Sequence, residues 1–205
     1  MKAIFYDWGG ANVWLFHAVN RVHYEVLDYA MLLGTELGAH EHFPLYLSFL
    51  VMAALIAVSR SPLSDSIQSR ANALRWLLAI GVFSMAYVLD AMLVGWLKHL
   101  LDFPRPPLAL PLGSVTIIGT PEYRHSFPSG HASFAMLAAA SLWPVVGRAW
   151  RVMAGLFVLW VCLSRVSLGA HFPADVLAGC LLSLVLVLVV RASLRLAIPA
   201  ANGMR

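Results

Sequence analysis

The chain has 205 residues, of which 60% are hydrophobic and 12% charged, with a formal net charge of +4. So apolar a composition excludes a soluble domain of this size and makes a bilayer the solvent. No nucleic-acid partner is expected of it.

The amino-terminal stretch 8–33 mixes apolar residues with His17, Asn20, Arg21, His23, Glu25 and Asp28, which makes a spanning helix expensive. Trp14, Phe16, Val19, Tyr24 and Leu27 fit an amphipathic helix, or a pair, lying in the interface, so 1–41 is read as an interfacial segment. It is no secretory signal, because it lacks a continuous apolar centre behind a basic start and a small-residue cleavage site. Five apolar stretches follow at 42–59, 74–97, 132–146, 150–166 and 174–196, close to the length that a hydrocarbon core of roughly 30 Å requires. The expected fold is therefore all-α: a polytopic membrane helical bundle with five or six transmembrane helices and an amphipathic N-terminal segment, forming one membrane-embedded domain over 1–205.

Two stretches read as loops. That at 60–72 is short and Ser-rich; that at 103–127 is long and broken by Pro104, Pro106, Pro107, Pro111 and Pro121. A patternless loop of that length is uncommon unless it has a function. Cys162 and Cys180 fall inside predicted spans, where small apolar packing is their ordinary role, and no disulfide framework is implied. Asp90 lies inside the second span, where a charge is costly, and is either a structural hydrogen-bonding group or part of a site.

In the five-span arrangement Arg60, Arg70, Arg75, Arg148, Arg151, Arg191, Arg195 and Arg205 share one side, which the positive-inside rule assigns to the cytoplasm. The opposite side carries the long loop and three polar clusters, with only Lys2, Arg21 and Arg124 as further basic residues. A working face on the outer, or periplasmic, side of an inner membrane is expected.

The first cluster closes the second span at Lys98, His99 and Asp102 and continues to Arg105. Snorkelling basic residues at a helix end would explain it. Pro104 and Pro106, however, restrict the backbone on both sides of Arg105, as a planar fork gripping phosphate oxygens requires. The second cluster, Ser126-Phe127-Pro128-Ser129-Gly130-His131, opens the third span. Free N–H groups at a helix start form a seat for an anion of phosphate size; Gly130 permits close backbone approach, Ser129 adds a hydroxyl, and His131 places an ionisable group in the first turn. The third cluster runs from Ser164-Arg165 to Asp175. His171 and Asp175 are four residues apart, so a helix opened by Pro173 lets carboxylate and imidazole meet. That pairing suits an attacking histidine, although a hydrogen-bonded histidine at a membrane interface would carry the same residues.

Together the clusters resemble the type 2 phosphatidic-acid phosphatases, which share their fold with vanadium haloperoxidases. The resemblance rests on Lys98, six residues and Arg105-Pro106; on Pro128-Ser129-Gly130-His131; and on Ser164-Arg165, five residues, His171, three residues and Asp175. It covers residues 98–175, with no signature in the amino-terminal third. It implies His171 as the nucleophile that takes the phosphoryl group, Asp175 as the group orienting it, and His131 as the general acid. Lys98, Arg105 and Arg165, with Ser129 and the N–H groups around Gly130, would bind the phosphate. Phosphoryl transfer is largely positioning and charge stabilisation, which three cations and a helix start supply. Both histidines are expected at a polar rim and not in a packed core.

No cofactor and no metal are expected. Asp102, Glu122 and the His40-Glu41-His42 string are the remaining ligand candidates on the working face, and adjacent helical residues do not face one way. The resemblance makes the partner a lipid phosphate or lipid diphosphate held among membrane lipids, with undecaprenyl diphosphate foremost. Lipid A, phosphatidylglycerol phosphate and phosphatidic acid are the alternative hydrolase substrates, and transfer to a second lipid an alternative reaction. A pore-lining scaffold is the non-enzymatic alternative.

Overall fold

The computed structural model describes residues 6–60 and 66–197; Lys2 and Arg205, which entered the charge argument, lie outside the described residues. A 3-10 turn at Trp8–Gly10 leads into α1 (Ala11–Asn20) and α2 (Glu25–Leu37), and another at His40–His42 leads into α3 (Phe43–Ser59). Next come α4 (Ser66–Leu101), the single-turn α5 (Pro106–Ala109), α6 (Gly130–Leu142), α7 (Arg148–Ser167) and α8 (Pro173–Ala197). The regular structure is helical throughout the described residues. The five expected spans are α3, α4, α6, α7 and α8; all but α6 lie in helical stretches long and apolar enough to cross a membrane.

Three boundaries depart from the sequence reading. Helix α4 begins at Ser66, so the second half of the stretch read as the loop 60–72 is helical. No Gly or Pro breaks Ser66 to Leu74, and Gln68, Arg70 and Ala71 are good helix formers. Helix α6 stops at Leu142, short of the expected 146, because Pro144 has no N–H for the ladder and disfavours helix at the residue before it. The loop 103–127, expected to carry no helical pattern, contains α5, which starts on Pro106 and Pro107 where a missing N–H costs nothing.

At 13 residues α6 is about 20 Å long, less than the bilayer core. Ten of those residues are buried, and the helix sits in the centre of the bundle against α4, α7 and α8. Enclosed by protein, it need not match the membrane thickness itself. Its alanines at 132, 135, 138, 139 and 140 allow neighbouring helices close. Gly179 of α8 marks the tightest approach: a Cβ there would lie 2.4 Å from the Ser129 carbonyl oxygen. Phe83, Phe134, Leu137 and Val187 fill the core between α4, α6 and α8, while Leu55, Met92, Leu156 and Leu181 face outward, as lipid contact requires.

Asp90, completely buried in α4, accepts hydrogen bonds from Ser133 Oγ of α6 (2.8 and 2.9 Å) and Ser183 Oγ of α8 (2.6 Å). The costly intramembrane carboxylate thus ties three helices together. The amino-terminal helices pack on α7, where Trp160 Nε1 donates to the Ala30 carbonyl (3.1 Å). Trp14 and Tyr24 are exposed on them, but Phe16 is fully buried, and so are the polar Asn12 and Asn20. Asn12 Oδ1 accepts from the Ala174 N–H at the start of α8, and Asn20 pins the long loop to the end of α7 through Thr116 and the Ser167 carbonyl.

Candidate active site

One end of the bundle gathers the C-termini of α4 and α7, the N-termini of α6 and α8, and the long loop. Among the described residues, Lys98 lies in the last turn of α4, Arg105 caps α5, Ser129 caps α6, Arg165 lies in the last turn of α7, and Asp175 in the first turn of α8. His171 occupies the turn between α7 and α8, anchored by its N–H to the Arg165 carbonyl (3.1 Å). The three motifs, separated by as many as 77 positions from Lys98 to Asp175, are therefore brought to one place.

His171 is buried with 1% of its surface exposed. This corrects the expected polar-rim location: Phe172 beside His171 is buried against Tyr6 and Phe16, and of the two histidines only His131 is partly exposed. Arg105 Nη1 donates to His171 Nε2 (3.2 Å), which makes Nε2 the nitrogen with the lone pair and puts the ring proton on Nδ1. Nδ1 lies 3.4 Å from both Asp175 Oδ2 and Ser126 Oγ. Asp175 is itself held from four sides: Ser126 Oγ and the Phe172 N–H donate to Oδ2, Tyr6 OH donates to Oδ1 (2.7 Å), and the Ser129 N–H takes its carbonyl. Burial first, then the charges of Arg105, Arg165 and Lys98, push the His171 pKa well below the ordinary imidazole range, so the ring stays neutral. Burial and the neighbouring Asp175 push the Tyr6 phenol up, keeping it a donor.

The two arginines are each held on several sides. Arg105 Nε donates to the Arg124 carbonyl (2.9 Å), its Nη1 also to the Ala170 carbonyl (3.3 Å), and its Nη2 pairs with Glu122. Glu122 reaches Arg165 Nη2 as well (3.7 Å), while Arg165 Nη1 donates to Thr35 Oγ1. A carboxylate thus bridges the two guanidiniums. Arg165 Nε and Ser129 Oγ are buried without a hydrogen-bond partner among the described residues. His131 is within electrostatic reach of Arg165, His171, His40 and Lys98. With Arg165, Glu122, Thr35 and Thr120 it lines a cavity of about 200 Å³ whose apolar walls include Leu32, Ile117, Ile118 and Leu168.

Gly130 makes room for a neighbouring ring: a Cβ there would lie 2.9 Å from His40, which packs over the start of α6. Other candidate ligands are used locally, Asp102 pairing with Arg124 and His125, and His42 with Glu36. Arg124 and His125 therefore secure the loop. Sequence reading missed Tyr6 and Thr35, single residues brought in by the amino-terminal segment, and placed His40 only among the metal-ligand candidates; Ser126 it named as the first residue of the second cluster, without a partner.

The family described as the PAP2 superfamily matches residues 74–198. No curated protein matches the sequence. Among solved structures, the fold is similar to that of LpxE from Aquifex aeolicus, with a TM-score of 0.70 and 23% identity over 88% of this chain and 94% of that one. It is also similar to a transmembrane PAP2 type phosphatidylglycerolphosphate phosphatase from Bacillus subtilis, with a TM-score of 0.65 and 23% identity over 96% of this chain and 90% of that one.

Proposed function

This chain belongs to the PAP2 superfamily and is a membrane phosphatase, and from that premise we propose that it hydrolyses a lipid diphosphate or phosphate through a phosphohistidine on His171. The observation that carries the reading is the polarity of the His171 ring, with Nδ1 turned to Asp175 and the lone pair on Nε2 turned to Arg105. Substrate phosphate displaces Glu122 from Arg105 and Arg165 and takes the free donors Arg165 Nε and Ser129 Oγ, with Lys98 adding a third cation. Nε2 attacks the terminal phosphorus in line as its bond to the leaving oxygen breaks, the bridging oxygen of a diphosphate or the lipid oxygen of a monophosphate, and His131, protonated once the anionic substrate offsets the surrounding cations, gives that oxygen its proton. His131, now neutral, takes a proton from water, whose oxygen attacks the phosphohistidine. The N–P bond breaks, inorganic phosphate leaves, and Nε2 regains its lone pair.

Three cations around His171 favour the greater charge of a diphosphate, and the apolar side chains of the cavity beside Arg165 suit an alkyl or prenyl chain. Undecaprenyl diphosphate is the substrate proposed first, with lipid A and glycerophospholipid phosphates as alternatives. Gathering of the arginines at the opposite end supports a bacterial inner-membrane protein whose site faces the periplasm. The test is to offer purified protein a panel of lipid phosphates and measure both free phosphate and phosphorylated lipid products. The expected result is the highest kcat/KM for the prenyl diphosphate with stoichiometric release of phosphate. Preference for a monophosphate would move the assignment to a glycerophospholipid or lipid A, and phosphate appearing on a second lipid would make the protein a transferase.

A further inference from the structure

At the end of the bundle opposite His171, the last turn of α6 meets the beginnings of α4 and α7 and the end of α8. An apolar cavity of about 410 Å³ lies there, within the size range of ligand pockets. Its walls include Met136, Ala139, Gly155 and Val158, it reaches the lipid-facing surface at Trp143 and Leu188, and Arg191 is its one charged lining residue. Arg191 is shared with a second, smaller cavity of about 150 Å³ that adds Arg75, Arg195 and Ser141 and, among the described residues, has no acidic wall.

Arg191 does not reach out to water as a snorkelling side chain does. Its Nη2 donates inward to the carbonyls of Ala140 (2.7 Å) and Ser141 (3.3 Å), and Arg75 Nη2 donates to the Pro144 carbonyl (2.8 Å). Carbonyls satisfy geometry but leave charge uncompensated, and among the described residues no carboxylate pairs with Arg75, Arg191 or Arg195. Ser141, lining the same arginine cavity, is completely buried, and among the described residues its Oγ has no hydrogen-bond partner. A concentrated positive charge, an orphaned donor and a membrane-facing apolar chamber adjoin one another through a single arginine.

We propose that this end of the protein binds one anionic phospholipid of the adjacent leaflet, its phosphate on Arg75, Arg191, Arg195 and Ser141 and one acyl chain along the apolar cavity. Guanidiniums grip phosphate oxygens in pairs, and basic pockets between membrane helices hold anionic headgroups. The chain must accompany the headgroup because the two cavities share a wall. This inference does not depend on the catalytic reading, since none of its residues belongs to the His171 site.

The test is native mass spectrometry of the detergent-purified protein with phosphatidylglycerol or phosphatidylcholine of identical chains. Wild type is expected to keep one phosphatidylglycerol about tenfold more strongly than phosphatidylcholine, whose choline cation offsets the phosphate charge that faces the arginines. The double variant Arg191→Gln, Arg195→Gln should lose that preference. Gly155→Leu should weaken retention by filling the apolar cavity: the space at its Cβ is open, and replacing a helical glycine favours the helix. Arg105→Gln, at the other end, should leave retention unchanged. Equal retention of the two lipids overturns the proposal, as does phosphatidylglycerol retention that ignores both cavity changes or follows Arg105. Binding of inorganic phosphate that depends on the arginines but not on Gly155 would also overturn it, because the site would then take the free anion.

Discussion

The phenol of Tyr6 donates a 2.7 Å hydrogen bond to Oδ1 of Asp175, 169 positions further along the chain. It occupies one oxygen of the carboxylate whose other oxygen faces the His171 ring, so it fixes the plane of Asp175 and through it the imidazole. Tyr6→Phe removes that bond while keeping the ring packed on Phe103, Phe127 and Phe172. Loss of a hydrogen bond to a charged group should lower kcat about tenfold or more with KM little changed. Steady-state kinetics on a lipid phosphate would check this, and an unaltered kcat would leave Tyr6 as packing alone.

His171→Asn should abolish turnover without unfolding the protein. Asparagine is the better probe than alanine because the side chain is buried and truncation would open a cavity. With labelled substrate, an alkaline quench should trap phosphoenzyme in the wild type and none in His171→Asn. His131→Ala should lose turnover too, with the larger loss on substrates whose leaving oxygen needs a proton.

The charge of Arg105 helps to hold the His171 pKa down, and removing it lets that value rise. For Arg105→Gln the acid limb of the kcat/KM profile should therefore move to higher pH, besides a lower plateau from lost phosphate binding. Burial is the larger cause and stays, so the shift is partial. Stability follows the same sign: below the ordinary histidine pKa of about 6.5 the unfolded chain binds a proton that the folded site refuses, so His171 destabilises the fold as pH falls. Thermal melts from neutral to acid pH should show a shallower decline in His171→Asn.

Asp90 is the acceptor for Ser133 and Ser183, and Asp90→Ala leaves both buried hydroxyls without it. The expected cost is about 2 kcal/mol or more, read as a lower melting temperature in detergent. Asp90→Asn, which keeps an acceptor, should cost less. A melting temperature unchanged in Asp90→Ala would mean that the three helices do not depend on this junction.

Hydrophobicity and short-range spacing were enough to read the spans, the single face on which the polar clusters meet, and the pairing of His171 with Asp175 at one helical turn. Those features are local: a span is a run of apolar residues, and a residue in the turn just before a helix lies within reach of its first turn, as His171 does of Asp175. The end of α6 at Leu142 was also implicit in Pro144, whereas the helical turns of α4 before Leu74 were hidden by a Ser-rich composition that breaks nothing.

What only the tertiary structure decided is how the amino-terminal helices join the site. Tyr6, Thr35 and His40 reach Asp175, Arg165 and Gly130 by packing of α1, α2 and α3 on the bundle, and no spacing rule connects residues so far apart in sequence. The inward turn of Asn12 and Asn20 was equally illegible, because hydrophobic periodicity assigns polar side chains to water, and here unpaired backbone groups of α7, α8 and the long loop offered them better partners. The burial of His171 follows from the same packing. Sequence determined which groups were available for phosphate chemistry; three-dimensional contact determined which ring nitrogen keeps its lone pair.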